Sequence, residues 1–294
     1  RKKLNNVVLT IKDDKIASIR SKGFDYKKAV HLIIPTFIDL QVYGSLGKLF
    51  SSYPDVKTLE IMEKHHQKNG TFFFQPTIAS NSYEVIYKCI EAVKKHKEKN
   101  LNTGCIGLHI EGPWLNPEKR GAHKKEFLHK PNENQIDSII NFSEGFVSLI
   151  TLAPEMVKES YMKKLKKNGI VISIGHSNCN YSKTNFLSKK MIRLATHLFN
   201  AMPNIHHRKL NLTTAILTNN SIFCSIIPDG YHVDFQLIKL AYKLKKNKLF
   251  CITDSVTENN KGLYKHKKNK NYYTNNGILS GSSISMAESF KNLV

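Results

Sequence analysis

The chain is poor in acidic residues and cysteines, and it has no long hydrophobic run. No apolar stretch in its 294 residues approaches the roughly 20 that a membrane-spanning helix needs, and the first six residues lack the apolar core of a signal peptide. The five cysteines form no C-x-x-C pair, and three lie inside apolar runs. This pattern favours free, buried thiols over a disulfide framework. We therefore expect a cytoplasmic protein with no membrane partner.

The shortage of acidic residues leaves a formal net charge of +22, from 45 Lys and Arg against 23 Asp and Glu. A basic protein can bind nucleic acid by neutralising phosphates. The lysines, however, are spread through predicted helices and loops, and no basic stretch is interleaved with aromatic residues that could stack on bases. We interpret the charge as solvated helix faces and expect no nucleic-acid partner. A hydrophobic content of 40% is enough for a full buried core.

Two kinds of pattern divide the chain. Residues 7–11 and 15–19 alternate around Lys12-Asp13-Asp14, which predicts a β-hairpin. A hairpin is too small to fold alone, so we assign residues 1–34 to part of a small accessory β domain. Residues 35–294 carry a different, repeating pattern, and we assign them to a second domain.

Short apolar runs alternate with amphipathic segments through the second domain. The apolar runs are 33–42, 71–76, 105–110, 147–152, 170–174, 191–196, 222–227 and 248–253. Helix-like stretches lie near 55–69, 82–99, 133–143, 157–168, 181–190, 209–219 and 234–246, and a last one begins at about 284. Eight strands that alternate with helices predict an α/β fold of parallel βα units. Eight such units are the number that closes a (β/α)8 TIM barrel. A doubly wound open sheet is the alternative, but no Gly-rich phosphate fingerprint follows the early strands.

Polar residues follow the strands where a barrel would carry its active site. Glu111 ends the third run directly before Gly112-Pro113, which cannot continue a strand. His176, His197 and Asp254 follow the fifth, sixth and eighth runs. The carboxyl ends of all strands in a closed barrel meet at one rim, where such barrels carry catalysis. A lone histidine at a strand end is usually structural, but this combination indicates a functional site.

Glu111, His176 and His197 together offer one carboxylate and two imidazoles. This set suits a catalytic divalent cation such as Zn²⁺, with a position left open for water. Asp254 is then the candidate general base, because a carboxylate beside an activated water can accept its proton and pass it to a leaving group. His123, at the end of the loop after Glu111, is a further candidate for metal or acid–base chemistry. For each residue alone, a hydrogen-bonded structural role is the alternative.

Longer motifs make the second domain recognisable. The blocks HIEGPWLNPEKRGAH, TLAPE, GHSN, THLFNAM, DGYH, the TD pair at 253–254 and LSGSSISM occur in this order. From about Pro35 to the last residue they resemble the N-acetylglucosamine-6-phosphate deacetylase family of the amidohydrolase superfamily. The N-terminal hairpin resembles part of the family's small β domain. The resemblance implies a metal-dependent (β/α)8 barrel, with a small β domain that is incomplete in this chain.

The resemblance also implies a reaction: hydrolysis of N-acetylglucosamine 6-phosphate to glucosamine 6-phosphate and acetate, in amino sugar catabolism. Glu111, His176 and His197 match the family's metal ligands, Asp254 its catalytic acid/base, and His123 a residue that polarises the acetyl carbonyl. The positions that match substrate-binding residues are Ala122, Asn200, Ala201, Arg208, His232, Leu279, Ser280 and Gly281. Arg208 matches the phosphate-binding arginine, which in this family can come from the neighbouring subunit, so we expect a homodimer.

Two stretches depart from the patterns of related enzymes. Where many amidohydrolases carry His-x-His and bind a second metal, this chain reads Gln41-Val42-Tyr43. We therefore expect one divalent ion in each subunit, most readily Zn²⁺, although Fe²⁺, Co²⁺ and Mn²⁺ accept the same ligands. Tyr43 stands where this branch of the family commonly has Asn, and Lys209-Leu210 follow Arg208 where the family usually has Pro-Gly.

Two alternative functions stay open on the sequence alone. The first is a related amidohydrolase that acts on another N-acylated amine, which a panel of N-acyl substrates would reveal. The second is a catalytically impaired basic relative that binds nucleic acid, which steeply salt-dependent DNA binding without a bound metal would reveal.

Overall fold

The computed structural model describes residues 4, 7–21, 32–270 and 272–294. The chain separates into two units, Arg1–Pro35 and Thr36–Val294. In the first unit, β1 (Val8–Lys12) and β2 (Lys15–Arg20) form the antiparallel hairpin that the alternation predicts. Asp13 and Asp14 form its turn with φ angles of 50° and 58°, a left-handed pair typical of two-residue hairpin turns.

The second unit is built around eight parallel strands. The first, β3 (Phe37–Val42), is followed by a short antiparallel pair, β4 (Gly44–Ser45) and β5 (Lys48–Leu49). The other barrel strands are β6 (Thr71–Ala79), β7 (Leu108–Glu111), β8 (Val147–Leu152), β9 (Val171–Ile174), β10 (Leu194–Ala195), β11 (Phe223–Ile226) and β12 (Leu249–Cys251). Each pairs with the next in chain order. Two contacts join the segment after β12 to the first barrel strand, β3. Ser255 forms a parallel bridge with Val42, and Thr253 Oγ1 donates to Asp39 Oδ2 at 2.5 Å.

Helices connect the strands and cover the outside of the barrel. They are α1 (Val56–Lys68), α2 (Tyr83–Lys99), α3 (Glu133–Ser143), α4 (Glu159–Lys167), α5 (Tyr181–Lys190), α6 (Leu212–Thr218), α7 (Phe235–Lys245) and α8 (Met286–Lys291). Polar N-caps fix several starts: Asp55 accepts from the Thr58 amide at 2.7 Å, and Asn132 forms a capping box with Gln135. The prediction of a (β/α)8 barrel is confirmed in both the number and the order of its strands.

A small antiparallel sheet, which the sequence pattern did not predict, follows the last barrel strand. It consists of β13 (His266–Lys268), β14 (Tyr272–Asn275) and β15 (Ile278–Ser282). The amide of Ser282 donates to the carbonyl oxygen of Asp254 at 3.0 Å. At Gly281 a Cβ atom would lie only 2.3 Å from the same carbonyl oxygen, so the close approach of β15 requires glycine there. This sheet therefore forms one wall of the barrel mouth.

The main core lies between the strands and the helices around them. Its largest fully buried side chains include Trp114, Phe50, Phe74 and Met62. The five cysteines are free, and four of them are buried, as predicted. Among the described residues, none of the helices is both long and apolar enough to cross a membrane.

Candidate active site

The four residues singled out at strand ends all lie at the barrel mouth, and all four are buried. Glu111 is the last residue of β7, while His176, His197 and Asp254 come two or three residues after β9, β10 and β12. The last three have φ angles of 47°, 36° and 54°. Residues other than glycine rarely adopt this left-handed region, at a cost of about 1–3 kcal/mol each, and such strain clusters at functional sites.

One oxygen of Glu111 and two histidine nitrogens meet at one point. Oε1 of Glu111 lies 2.9 Å from Nε2 of His197 and 3.4 Å from Nε2 of His176, and the two nitrogens are 3.1 Å apart. Nδ1 of His176 donates to the Lys119 carbonyl at 2.8 Å, so in the neutral ring the Nε2 lone pair faces this point. Two nitrogens and a carboxylate oxygen gathered in this way fit a divalent cation.

His123 also contacts Glu111, but the ring nitrogen that faces Glu111, Nε2, is a hydrogen-bond donor. Its Nε2 lies 3.1 Å from Glu111 Oε2, and Glu111, His123 and His176 each offer an atom within 4.8 Å of the others. The backbone N–H of Ser80, however, donates to Nδ1 of His123 at 3.2 Å. The Ser80 hydroxyl lies 2.9 Å from the same nitrogen and can donate to it as well. With Nδ1 accepting these bonds, we assign the proton of the neutral ring to Nε2. In this form His123 can donate to an oxygen but cannot bind a metal through Nε2.

Gln41, which the sequence singled out only as a position without a second-metal histidine, bridges the two carboxylates of the site. Its Nε2 lies 2.6 Å from Oδ1 of Asp254 and 3.2 Å from Oε1 of Glu111. A neutral amide donor thus allows two acidic side chains to lie close together. The signal for Gln41 in the sequence was its position near the end of the first barrel strand. Ser80 and Tyr264, whose hydroxyl donates to the Ser80 carbonyl at 2.5 Å, gave no such signal.

Burial and neighbouring charges separate the pKa values of the site residues. Burial alone would raise the pKa of Glu111, but the three neighbouring histidines, His176 foremost, hold it well below its usual value. Burial raises the pKa of Asp254 to about 7, with His197 opposing and Glu111 adding to the rise. Burial lowers the pKa of His176 to about 4. For His197, burial is outweighed by the hydrogen bond and the charge of Glu111, which raise its pKa.

A cavity of about 230 Å³ opens over these residues. Of the eight substrate-binding candidates, seven line it: Ala122, Asn200, Ala201, His232, Leu279, Ser280 and Gly281. His232 is fixed through both ring nitrogens, with Nδ1 2.6 Å from Asp229 Oδ2 and Nε2 2.7 Å from the Ser280 carbonyl. Arg208 is exposed in the loop before α6 and does not line the cavity of its own chain.

Known proteins resemble this chain over most of its length. No protein-family model matches it. It is 33% identical over 271 residues to N-acetylglucosamine-6-phosphate deacetylase of Haemophilus influenzae, a match that covers 88% of this chain and 70% of that relative. N-acetylgalactosamine-6-phosphate deacetylase of Shewanella sp. is 32% identical over 79% of this chain and 59% of its own length. The chain therefore spans 59% to 70% of these curated relatives.

The solved structures agree with the sequence matches. The crystal structure of N-acetylglucosamine-6-phosphate deacetylase from Pasteurella multocida superimposes with a TM-score of 0.85 at 30% identity, covering 98% of this chain and 79% of that one. The barrel, the buried residues at its mouth and these similarities lead to one conclusion: the chain belongs to the N-acetylglucosamine-6-phosphate deacetylase family.

Proposed function

We propose that the chain is a metal-dependent hydrolase that removes acetate from N-acetylglucosamine 6-phosphate and yields glucosamine 6-phosphate. The observation that carries this proposal is the meeting of Glu111, His176, His197 and Asp254 at one buried cavity. A cation-binding donor set beside a carboxylate base is one arrangement that can hydrolyse an unactivated amide. The names of the Haemophilus and Pasteurella relatives support this choice of substrate.

Glu111, His176 and His197 are the proposed ligands of one divalent ion in each chain. Their oxygen and nitrogen donors favour Zn²⁺, with Fe²⁺, Co²⁺ and Mn²⁺ as alternatives. His123 is left out of this set because the Ser80 amide occupies its Nδ1 and keeps a proton on Nε2. When bound, the ion supplies Lewis-acid chemistry by lowering the pKa of water and polarising a carbonyl.

The side chains of the site carry the proton transfers and orient the amide. Asp254 takes a proton from the attacking water as its oxygen bonds to the acetyl carbon. Asp254 then gives that proton to the amine nitrogen as the C–N bond breaks, and its pKa of about 7 suits both transfers. Gln41 holds Oδ1 of Asp254 at 2.6 Å, so the other oxygen handles the proton. Nε2–H of His123 donates to the carbonyl oxygen, where negative charge develops.

The remaining cavity residues are proposed to hold the sugar. Hydrogen bonds to Asp229 and Ser280 fix the ring of His232 in the cavity wall. Burial would lower the pKa of His232, but the Asp229 contact outweighs it and raises this pKa. Arg208, exposed in its own chain, is proposed to bind the phosphate in the neighbouring subunit of a homodimer. Its guanidinium suits this role because it donates two parallel hydrogen bonds to phosphate oxygens.

The cellular setting that we propose is amino sugar catabolism in the cytoplasm, without nucleic-acid or membrane partners. Surface lysines pair with glutamates on their own helices, as Lys88 does with Glu84 at 2.6 Å and Lys163 with Glu159 at 3.1 Å. These exposed pairs support the placement of lysines on solvated helix faces.

The Shewanella relative favours the galactose epimer of the substrate as a second candidate. Acetate release from N-acetylglucosamine 6-phosphate, N-acetylgalactosamine 6-phosphate and unphosphorylated N-acetylglucosamine tests both. We expect the highest kcat/KM with the first compound, and a value roughly 100-fold lower without phosphate, because charge-assisted hydrogen bonds are lost. A higher kcat/KM with the galactose compound would make N-acetylgalactosamine 6-phosphate the proposed substrate. A higher kcat/KM with the unphosphorylated compound would overturn the sugar-phosphate proposal.

A further inference from the structure

Tyr43 lies at the centre of the site, although the proposed chemistry gives it no role. It follows β3 directly, its side chain is buried, and its hydroxyl hydrogen-bonds Oε2 of Glu111. Nε2 of Gln41 lies 2.8 Å from the same hydroxyl oxygen and can only donate to it. The proton of Tyr43 is therefore free to point at Glu111, so the phenol donates to the carboxylate.

The two oxygens of Glu111 consequently face different partners. Oε1 faces the nitrogens of His176 and His197, at 3.4 and 2.9 Å. Oε2 accepts from Tyr43 and lies 3.1 Å from Nε2 of His123. Hydrogen bonds to an ionised carboxylate are roughly twice as strong as those between neutral groups, and burial makes their loss expensive. A carboxylate held through Oε2 cannot turn to present both of its oxygens.

We propose that Tyr43 is a positioning residue for the metal ligand Glu111: its hydroxyl anchors Oε2, so that Oε1 alone is presented to the cation. This inference rests on the proposed function and adds a residue to it. Burial and the charges of Glu111 and Asp254 raise the pKa of Tyr43 well above its usual value, so the phenol stays a neutral donor. The large ring is thus an integral part of this site.

Gln41 completes the arrangement from the other side. Its amide touches the Tyr43 hydroxyl, Glu111 Oε1 and Asp254 Oδ1, at 2.8, 3.2 and 2.6 Å. Tyr43 and Gln41 thus fill the end of the first barrel strand with neutral donors, where His-x-His would provide ligands for a second cation. This arrangement supports the expectation of one ion in each chain.

Substitution of Tyr43 by Phe tests the role of the hydroxyl and keeps the ring. Zn²⁺ affinity is measured by competition with a chromophoric chelator, and we expect it to fall roughly 10- to 100-fold, the usual effect of removing the partner of a metal ligand. Tyr83→Phe is the matched control, because its hydroxyl contacts Nε1 of Trp114 at 3.2 Å and does not line the cavity. The control should bind Zn²⁺ as the wild type does. An affinity of Tyr43→Phe within twofold of wild type would overturn the proposal.

A second measurement needs no variant and is therefore independent of how Tyr43→Phe folds. Ultraviolet difference spectra recorded as Zn²⁺ is added to the wild-type protein should show no phenolate signal. A phenolate signal would mean that a tyrosine ionises when the cation binds, and if Tyr43→Phe abolished that signal, Tyr43 would be a direct ligand and its positioning role would be overturned. Failure of the wild-type protein to bind any divalent cation would refute the proposed function itself, whereas tight binding that Tyr43→Phe leaves unchanged would remove only the role of Tyr43.

Discussion

His123 illustrates how strongly one hydrogen bond determines the chemistry of a residue in this site. By distance to Glu111 alone it is as good a candidate for metal binding as His197. The two histidines differ because the Ser80 N–H donates to Nδ1 of His123, which leaves the proton of that ring on Nε2. Ser80 lies 43 residues away along the chain, so no local pattern could have revealed this contact.

The two histidines should therefore differ when each is replaced by alanine. We expect His197→Ala to lower Zn²⁺ affinity by more than 100-fold, because it removes a ligand and not only a ligand's partner. His123→Ala should retain one ion and lose roughly 10²- to 10³-fold in kcat, the usual effect of removing a donor to the developing oxyanion. Metal analysis after gel filtration, together with acetate release, checks both. Metal loss in His123→Ala with retention in His197→Ala would reverse the assignment.

Asp254→Asn isolates the proton transfers from cation binding. The amide oxygen of Asn can still accept from Gln41, which holds Oδ1 at 2.6 Å in the wild type, so the site should keep its shape. We expect one bound ion and a kcat lower by roughly 10²- to 10⁴-fold, because an amide cannot accept the proton of water. Turnover at the wild-type rate would remove Asp254 from its proposed role.

At the scale of elements, the sequence predicted the barrel well and the mouth less well. Apolar runs identify the strands because each is buried in the sheet, but the first run begins as a strand only at Phe37, four residues later than predicted. Helix α6 begins at Leu212 and not at 209, because Asn211 caps it by accepting from the Thr214 amide. The sheet of β13, β14 and β15 was missed because the lysine-rich stretch 265–270 has the composition of a loop.

The close approach of β15 to Asp254 predicts a specific effect of adding one methyl group at Gly281. Gly281→Ala would place Cβ 2.3 Å from the Asp254 carbonyl oxygen, so β15 or Asp254 must move. We expect a loss of about 1–3 kcal/mol in unfolding free energy and at least a tenfold loss in kcat. Gly277→Ala is the control, since no atom lies within 4 Å of its Cβ and only its φ of +79° is strained. It should cost about 1 kcal/mol and leave kcat unchanged, as denaturant unfolding and acetate release would show. Equal effects of the two variants would contradict the proposed contact.

At the scale of the whole molecule, buried neutral histidines make the fold sensitive to acid. Burial lowers the pKa of His66, which stacks on Phe74, from its usual 6.5 to about 4. Below pH 6.5 the unfolded chain therefore binds a proton that the folded chain takes up only near pH 4, so stability falls with pH across that window.

Substitution of His66 by Gln removes this titration. In denaturant unfolding with a chelator present, we expect His66→Gln to lose less stability than wild type between pH 6.5 and 4, by up to roughly 3 kcal/mol. His65→Gln, at the half-buried neighbouring position, should change the slope less. Parallel curves of unfolding free energy against pH for wild type and His66→Gln would show that His66 does not contribute to the loss of stability in acid.

The position of the bound ion tests the proposed metal site most directly. Crystals grown with Zn²⁺ and measured at the zinc absorption edge locate the cation without reference to activity. We expect one anomalous peak in each chain, in coordination contact with Glu111 Oε1 and Nε2 of His176 and His197. A peak bound by His123 in place of His197, or no peak at this site in a protein that hydrolyses the substrate, would contradict it.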